Sequence, residues 1–191
     1  MAVRGQFDQS VAEIRKAREV DPLSPIVNSE VGRILFFARR YDQAIQQLQA
    51  TISLDPDFPA AHYYLGSLYE ALGMHERTYE EFLQVHIGRE ISPPGVLEIQ
   101  KIHAKSGWKG AWKKYLAMML HERSAGKFVS AYDIAEVYLA LGEEEQTLAW
   151  LRKAADERSN MVTYLKVDPR FERLLSNPRF QDLLQRIGIP H

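Results

Sequence analysis

The residues in this chain most able to do chemistry are its His residues, 6 in all, and the carboxylates beside them. His75-Glu76 and His121-Glu122 each set a metal-ligand type next to a general base. A zinc-hydrolase helix needs a second histidine four residues after the first, so that both imidazoles face one ion. Neither pair has it. His62, His75, His86, His103 and His121 fall on different expected helices, and His191 is terminal. No Asp-rich calcium loop, phosphate-cradling Gly-Lys-Ser or Gly-x-Ser-x-Gly elbow is written here. Glu143-Glu144-Glu145 opens an expected helix, where acidic residues favour the helix dipole rather than a metal. With Cys 0, thiolate metal sites, disulfides and a cysteine nucleophile are excluded. The expectation is a non-enzyme with no catalytic residue, no metal and no cofactor.

Lys109, Lys113 and Lys114, interleaved with Trp108, Trp112 and Tyr115, are the residues best suited to nucleic acid. Cationic side chains neutralise phosphates, and rings stack on bases. The aromatic spacing also places those rings on one helix face, with the lysines as its wet side. The second reading is preferred, and no nucleic-acid partner is expected for this segment. Lys+Arg 24 against Asp+Glu 25 leaves a net charge of -1, so no overall field recruits an anionic polymer or membrane. No apolar run reaches the ~18 residues of a membrane span, and MAVRGQFDQS is not a signal peptide. A cytoplasmic location without membrane contact is expected.

The elements that must position these residues repeat. An offset of 34 residues carries Phe7 to Tyr41, Ile14 to Leu48, Pro22 to Pro56, Gly32 to Gly66 and Gly73 to Gly107. Apolar residues recur at spacings of three and four along each segment, the signature of amphipathic helices. Expected helices run over 7–20, 25–38, 41–54, 61–72, 75–85, 96–105, 109–123, 132–141 and 144–156, with a longer connection over 87–95. Gly66 lets the paired helix approach closely, Leu65 and Tyr69 fill the space between, and Gly73 closes the helix. Ser67, on the other face, is expected to accept a larger side chain more easily than Gly66. Gln100 and Trp112 stand where small residues are usual, so that pair is expected to pack more loosely or at a changed angle.

Asp168-Pro169-Arg170-Phe171 and Asn177-Pro178-Arg179-Phe180 repeat after nine residues. Each reads as an N-cap followed by proline at the first helical position. Two short helices should follow, the second stopped by Gly188-Ile189-Pro190. Their load of Phe and Leu suggests a cover for the last repeat.

Tyr69, Gly66, Ala44, Pro22 and Pro56 match the signature of the tetratricopeptide repeat family, which the chain resembles from about Phe7 to Asp156. The resemblance implies an all-α, right-handed α-solenoid of helix pairs with a short helical C-terminal cap. The expected organisation is a half repeat over 7–22, repeats over 25–58, 59–92, 93–126 and 128–158, and the cap over 159–191. It also implies that the first helix of each pair lines a concave groove. The groove positions are then Arg33, Phe36, Phe37, Tyr63, Ser67, Glu70, Lys101, Lys105, Tyr132 and Glu136. Chaperone-binding members clamp a carboxylate with Lys and Asn. The corresponding pairs here, Ser29/Arg33, Tyr63/Ser67, Leu97/Lys101 and Tyr132/Glu136, form no such clamp.

The ending DPRFERLLSNPRFQDLLQRIGIP resembles the tails of bacterial multidomain signalling proteins. The implied function is a non-enzymatic scaffold that binds a protein or peptide, in bacterial regulation or signalling. The alternative is a structural or self-assembly module packing on a parent domain or a second copy. Phe7, Val11 and Ile14 match the second helix of a repeat whose first helix is not written before them, which suggests that an upstream domain of a longer parent or a second copy, as a homodimer, covers that face.

Overall fold

The computed structural model describes residues 7–86 and 92–189, and every regular element among them is helical. Residues 87–91 of the expected long connection, Pro190 and His191 lie outside the described residues. Helices α1 (Phe7–Val20), α2 (Pro25–Phe37), α3 (Tyr41–Leu54), α4 (Pro59–Ala71) and α5 (His75–His86) belong to a first compact unit. The second holds α6 (Pro93–Ser124), α7 (Ala131–Leu141), α8 (Glu144–Asp156) and α9 (Pro178–Arg186), with a 3-10 segment at Asn160–Tyr164. Val167–Glu172 stands apart from its sequence neighbours: it belongs to the first unit, while Lys166 and Arg173 on either side belong to the second.

In the first unit each helix packs on the next, and α2 also packs on α4. This is the helix-pair arrangement of an all-α solenoid, and its cause is legible at single residues. Ser24 caps α2, its hydroxyl accepting the Val27 N–H, with Pro25 at the first helical position. A Cβ on Gly32 would lie 2.5 Å from the Leu48 side chain, and one on Gly66 would lie 3.1 Å from Phe82. These are the close approaches of α2 to α3 and of α4 to α5. The two pairs turn alike. Arg39 and Gly73 both take left-handed backbone, at φ 59 and 70, and the next N–H in each case bonds back to Leu35 or Tyr69.

Helix α1 is tied to this unit by its own side chains. The Arg18 guanidinium donates to Gln47 Oε1 at 2.9 Å, and the Gln47 amide donates to Asn28 Oδ1 at 3.0 Å. Of the residues expected to meet a second copy, Val11 is only 4 % exposed, and Phe7 and Ile14 are half-buried. α1 packs on α2, so the chain itself covers much of that face.

In the second unit α6 is a hairpin rather than one rod. Gly107 leaves the helical region at φ 67, ψ -173. Lys114 Nζ meets Glu98 Oε1 at 2.8 Å, whereas a straight helix would hold those positions roughly 24 Å apart. The two halves expected over 96–105 and 109–123 thus fold back at the predicted glycine. Trp112 and Tyr115 are buried, while Lys109 and Lys113 stand exposed. α7 and α8 form a pair joined by Gly142, with Ser130 capping α7. α9 and the Asn160–Tyr164 segment lie against α8, burying Val162, Phe180, Leu183 and Leu184.

Candidate functional site

α2 and α4 each begin after a capped or proline-led turn, so the two helices carry their side chains in matched phase. Successive residues on one surface stack into a ladder. The Arg33 guanidinium ion-pairs with Glu30 one turn before it and lies 5.7 Å over the Phe37 ring and 5.8 Å over the Tyr64 ring. Tyr64 O–H reaches Glu30 Oε1 at 3.4 Å. Tyr63 meets Tyr64 edge-on at 5.4 Å and Phe82 at 5.8 Å. Offset and edge contacts of this kind suit the ring quadrupole, and a guanidinium over a ring face adds cation–π attraction.

The far end of this ladder is filled by the chain itself. Arg170, from the Val167–Glu172 segment, lies 5.7 Å over the Tyr63 ring. One of its amino groups donates to the Tyr63 hydroxyl at 3.4 Å, and the other stands 3.5 Å from Glu70 Oε2. Asp168 shapes the arginine from within the segment. Its carboxylate accepts the Arg170 backbone N–H at 3.0 Å, Nε–H at 3.1 Å and Nη2–H at 2.7 Å. Side-chain exposure is 2 % for Arg170, 3 % for Asp168 and 7 % for Glu70. Charges buried to this degree persist only when paired and hydrogen-bonded, and here each carboxylate faces the same guanidinium. Phe171 is fully buried beside it. At the neighbouring pair, Arg39 Nη2 donates to Glu172 Oε2 at 3.2 Å. Burial raises the Tyr41 phenol above its ordinary pKa. Nearby Arg39 lowers it, while Glu172 and Asp168 push it further up.

The expected groove residues divide between the two units. Arg33, Tyr63 and Glu70 belong to the ladder, with Phe37 against Arg33 and Phe36 at 5.5 Å from Phe37. Ser67 is not an open position. It is 1 % exposed, and its hydroxyl donates to the Tyr63 carbonyl at 2.8 Å. The expectation of easy enlargement there is therefore corrected: a larger side chain has no free volume to enter. In the second unit Lys101 and Lys105 are exposed on the first arm of α6, while Tyr132 and Glu136 are buried one turn apart on α7.

Sequence reasoning missed Glu30, Tyr64, Asp168 and Arg170 as members of one constellation. The available signal was the doubled Asp/Asn-Pro-Arg-Phe motif, but both copies read alike. Arg170 is buried, whereas Arg179 in the second copy is 44 % exposed and ion-pairs with Glu145.

Elsewhere in the first unit, His62 is held between Glu81 Oε2 at 2.7 Å from Nδ1 and the Pro56 carbonyl at 2.8 Å from Nε2. Both partners are acceptors, so the doubly protonated ring is favoured. The Glu81 hydrogen bond raises the His62 pKa against the opposing effect of burial. No group of three or more His, Cys, Asp or Glu among the described residues is placed to hold a metal ion. No helix among them is long and apolar enough to cross a membrane.

The family model described as TPR repeat matches residues 32–73, the span that holds Arg33, Phe36, Phe37, Tyr63, Ser67 and Glu70. No curated protein matches the chain.

Proposed function

We propose that this chain is a tetratricopeptide-repeat scaffold that binds an extended peptide segment of a partner protein on the surface formed by α2 and α4, since residues 32–73 match the repeat and such repeats serve in protein interaction. The observation that carries this reading is that the surface already holds such a segment, Val167–Glu172, by recognition of a side chain and not by apolar burial alone. Arg33, Phe36, Phe37, Tyr63 and Glu70 are the contact residues of this surface in this reading; in the second unit, taken by itself, the candidates are Lys101, Lys105, Tyr132 and Glu136. Tyr and Arg suit the role because they bury large area with few rotatable bonds. The scaffold does no chemistry of its own, and its setting is a bacterial regulatory or signalling protein in the cytoplasm.

Selection from a random peptide display library tests the reading. The full chain and its Arg170→Ala form serve as baits. Enriched peptides should lose binding when Tyr63→Ala is introduced, while circular dichroism shows the helices intact. If no peptide enriches on either bait, the Val167–Glu172 contact is a permanent strut. The protein is then a structural module.

A further inference from the structure

The same surface has a chemical preference that its resident segment reveals. Arg170 is read on three sides at once. A ring face lies against the guanidinium plane at Tyr63, a hydroxyl accepts at its edge, and a carboxylate stands at each flank. A planar five-donor fork can meet all of these together, and a compact ammonium cannot. The division of labour between segment and surface is also clear. Asp168 folds the arginine side chain back over its own turn, so that the guanidinium is preorganised before it meets the helices. Glu70 and Tyr63 belong to the receiving side. Asp168 and Arg170 cancel in charge, Glu172 of the segment is met separately by Arg39, and Glu70 remains the carboxylate on the α4 side. A carboxylate as buried as Glu70 favours a cation opposite it, and in this arrangement the Arg170 guanidinium stands in that place.

We propose that this surface is a guanidinium-reading site for peptides of the form Asp-x-Arg-aromatic, and that Asp168-Pro169-Arg170-Phe171 is a resident copy of that ligand which keeps external peptides out. The inference rests on the peptide-binding reading above and adds to it the ligand class and the mode of control. A partner carrying the motif gains access when Val167–Glu172 is displaced. Occupancy is then set by competition between a tethered and a free copy of one ligand. The tethered copy has the advantage of high effective concentration.

Fluorescence anisotropy with a labelled synthetic peptide of sequence Val167–Glu172, added to the full-length protein, tests this. The Arg170→Ala protein should bind the peptide about tenfold or more tightly than the wild type does, since its own copy no longer competes. Replacing the peptide arginine by citrulline, which keeps the shape and removes the charge, should lose about tenfold or more. Adding Glu70→Gln to the Arg170→Ala protein should weaken binding by several-fold, because the ion pair to the peptide guanidinium is lost.

Because Arg170→Ala leaves two buried carboxylates facing each other's side of an empty slot, its fold is followed in parallel. Low-millimolar N-ethylguanidinium should raise its Tm, or restore its helix content, more than N-ethylammonium does. Equal binding by the wild type and Arg170→Ala overturns the competition. Equal binding of the citrulline peptide overturns the guanidinium reading, yet leaves peptide binding standing. No peptide binding together with no difference between the two cations overturns the proposal as a whole. Peptides from the display selection that need Tyr63 but carry no arginine would overturn it while supporting the broader function.

Discussion

At the scale of single residues, His62 and the packing glycines carry the sharpest consequences. The His62 pKa in the folded protein is raised above its ordinary value of 6.5, first by the hydrogen bond to Glu81. A raised histidine pKa means that the folded state binds the proton more tightly than the unfolded chain does. The stabilisation is then fully present below about 6.5 and is lost as pH rises through the folded pKa. A series of thermal melts should therefore show the gap between wild type and His62→Gln closing as pH is raised. A gap that widens with pH would contradict the geometry. The glycines give a ranking. Gly32→Ala should cost about 1–3 kcal/mol by urea denaturation, because its Cβ would sit 2.5 Å from Leu48, while Gly66→Ala should be milder at 3.1 Å from the Phe82 ring. The sequence identified both glycines through the 34-residue offset. It could not order them, because the difference lies in whether a branched aliphatic or a flat ring faces each one. Ser67 was misjudged for a related reason. Helical phase places it beside the groove, but phase does not reveal that its hydroxyl turns back to Tyr63 O.

At the scale of elements, nearly every helix was legible, because amphipathic spacing and proline or glycine punctuation are local signals. α8 and α1 begin and end where the pattern places them, and α4 starts at Pro59, two residues before the expected Ala61, since proline serves at the first helical turn. The α6 hairpin yields a prediction with a sign. In an uninterrupted helix, Gly→Ala stabilises by about 0.5–1 kcal/mol. At Gly107 the backbone lies at φ 67, ψ -173, a region open essentially only to glycine, and alanine there should instead destabilise by about 1–3 kcal/mol. Chemical denaturation of Gly107→Ala separates the two, and a stabilised variant would mean that α6 runs straight. α1 offers a second test at this scale. Val11→Asp should release α1, seen as lost amide protection over Phe7–Val20, because Val11 is its buried contact with the unit. Ile14→Glu, at a half-buried position, should be tolerated better.

At the scale of the whole molecule, what the sequence did not disclose is a connection between distant parts. Tyr63 and Arg170 lie 107 residues apart, and no periodic signal links them. Local patterns report which face of a helix is apolar; they say nothing about which later segment will be laid across it. One outcome follows for hydrogen exchange: Arg170→Ala should reduce amide protection in α2 and α4, far upstream in the chain. Unchanged protection there would show that the segment adds nothing to the unit it occupies. The same separation has a meaning in time. A ribosome emits about 5–20 residues per second, and N-terminal elements fold as they emerge. Tyr63 is thus polymerised about 5–20 s before Arg170, given the 107 residues between them. Once α2–α4 have emerged, and until Arg170 follows them, every nascent copy displays the surface uncovered, so a ligand present at synthesis meets it without having to displace anything. The newborn chain and the finished one therefore differ in what they can hold, although their sequence over α2–α4 is the same.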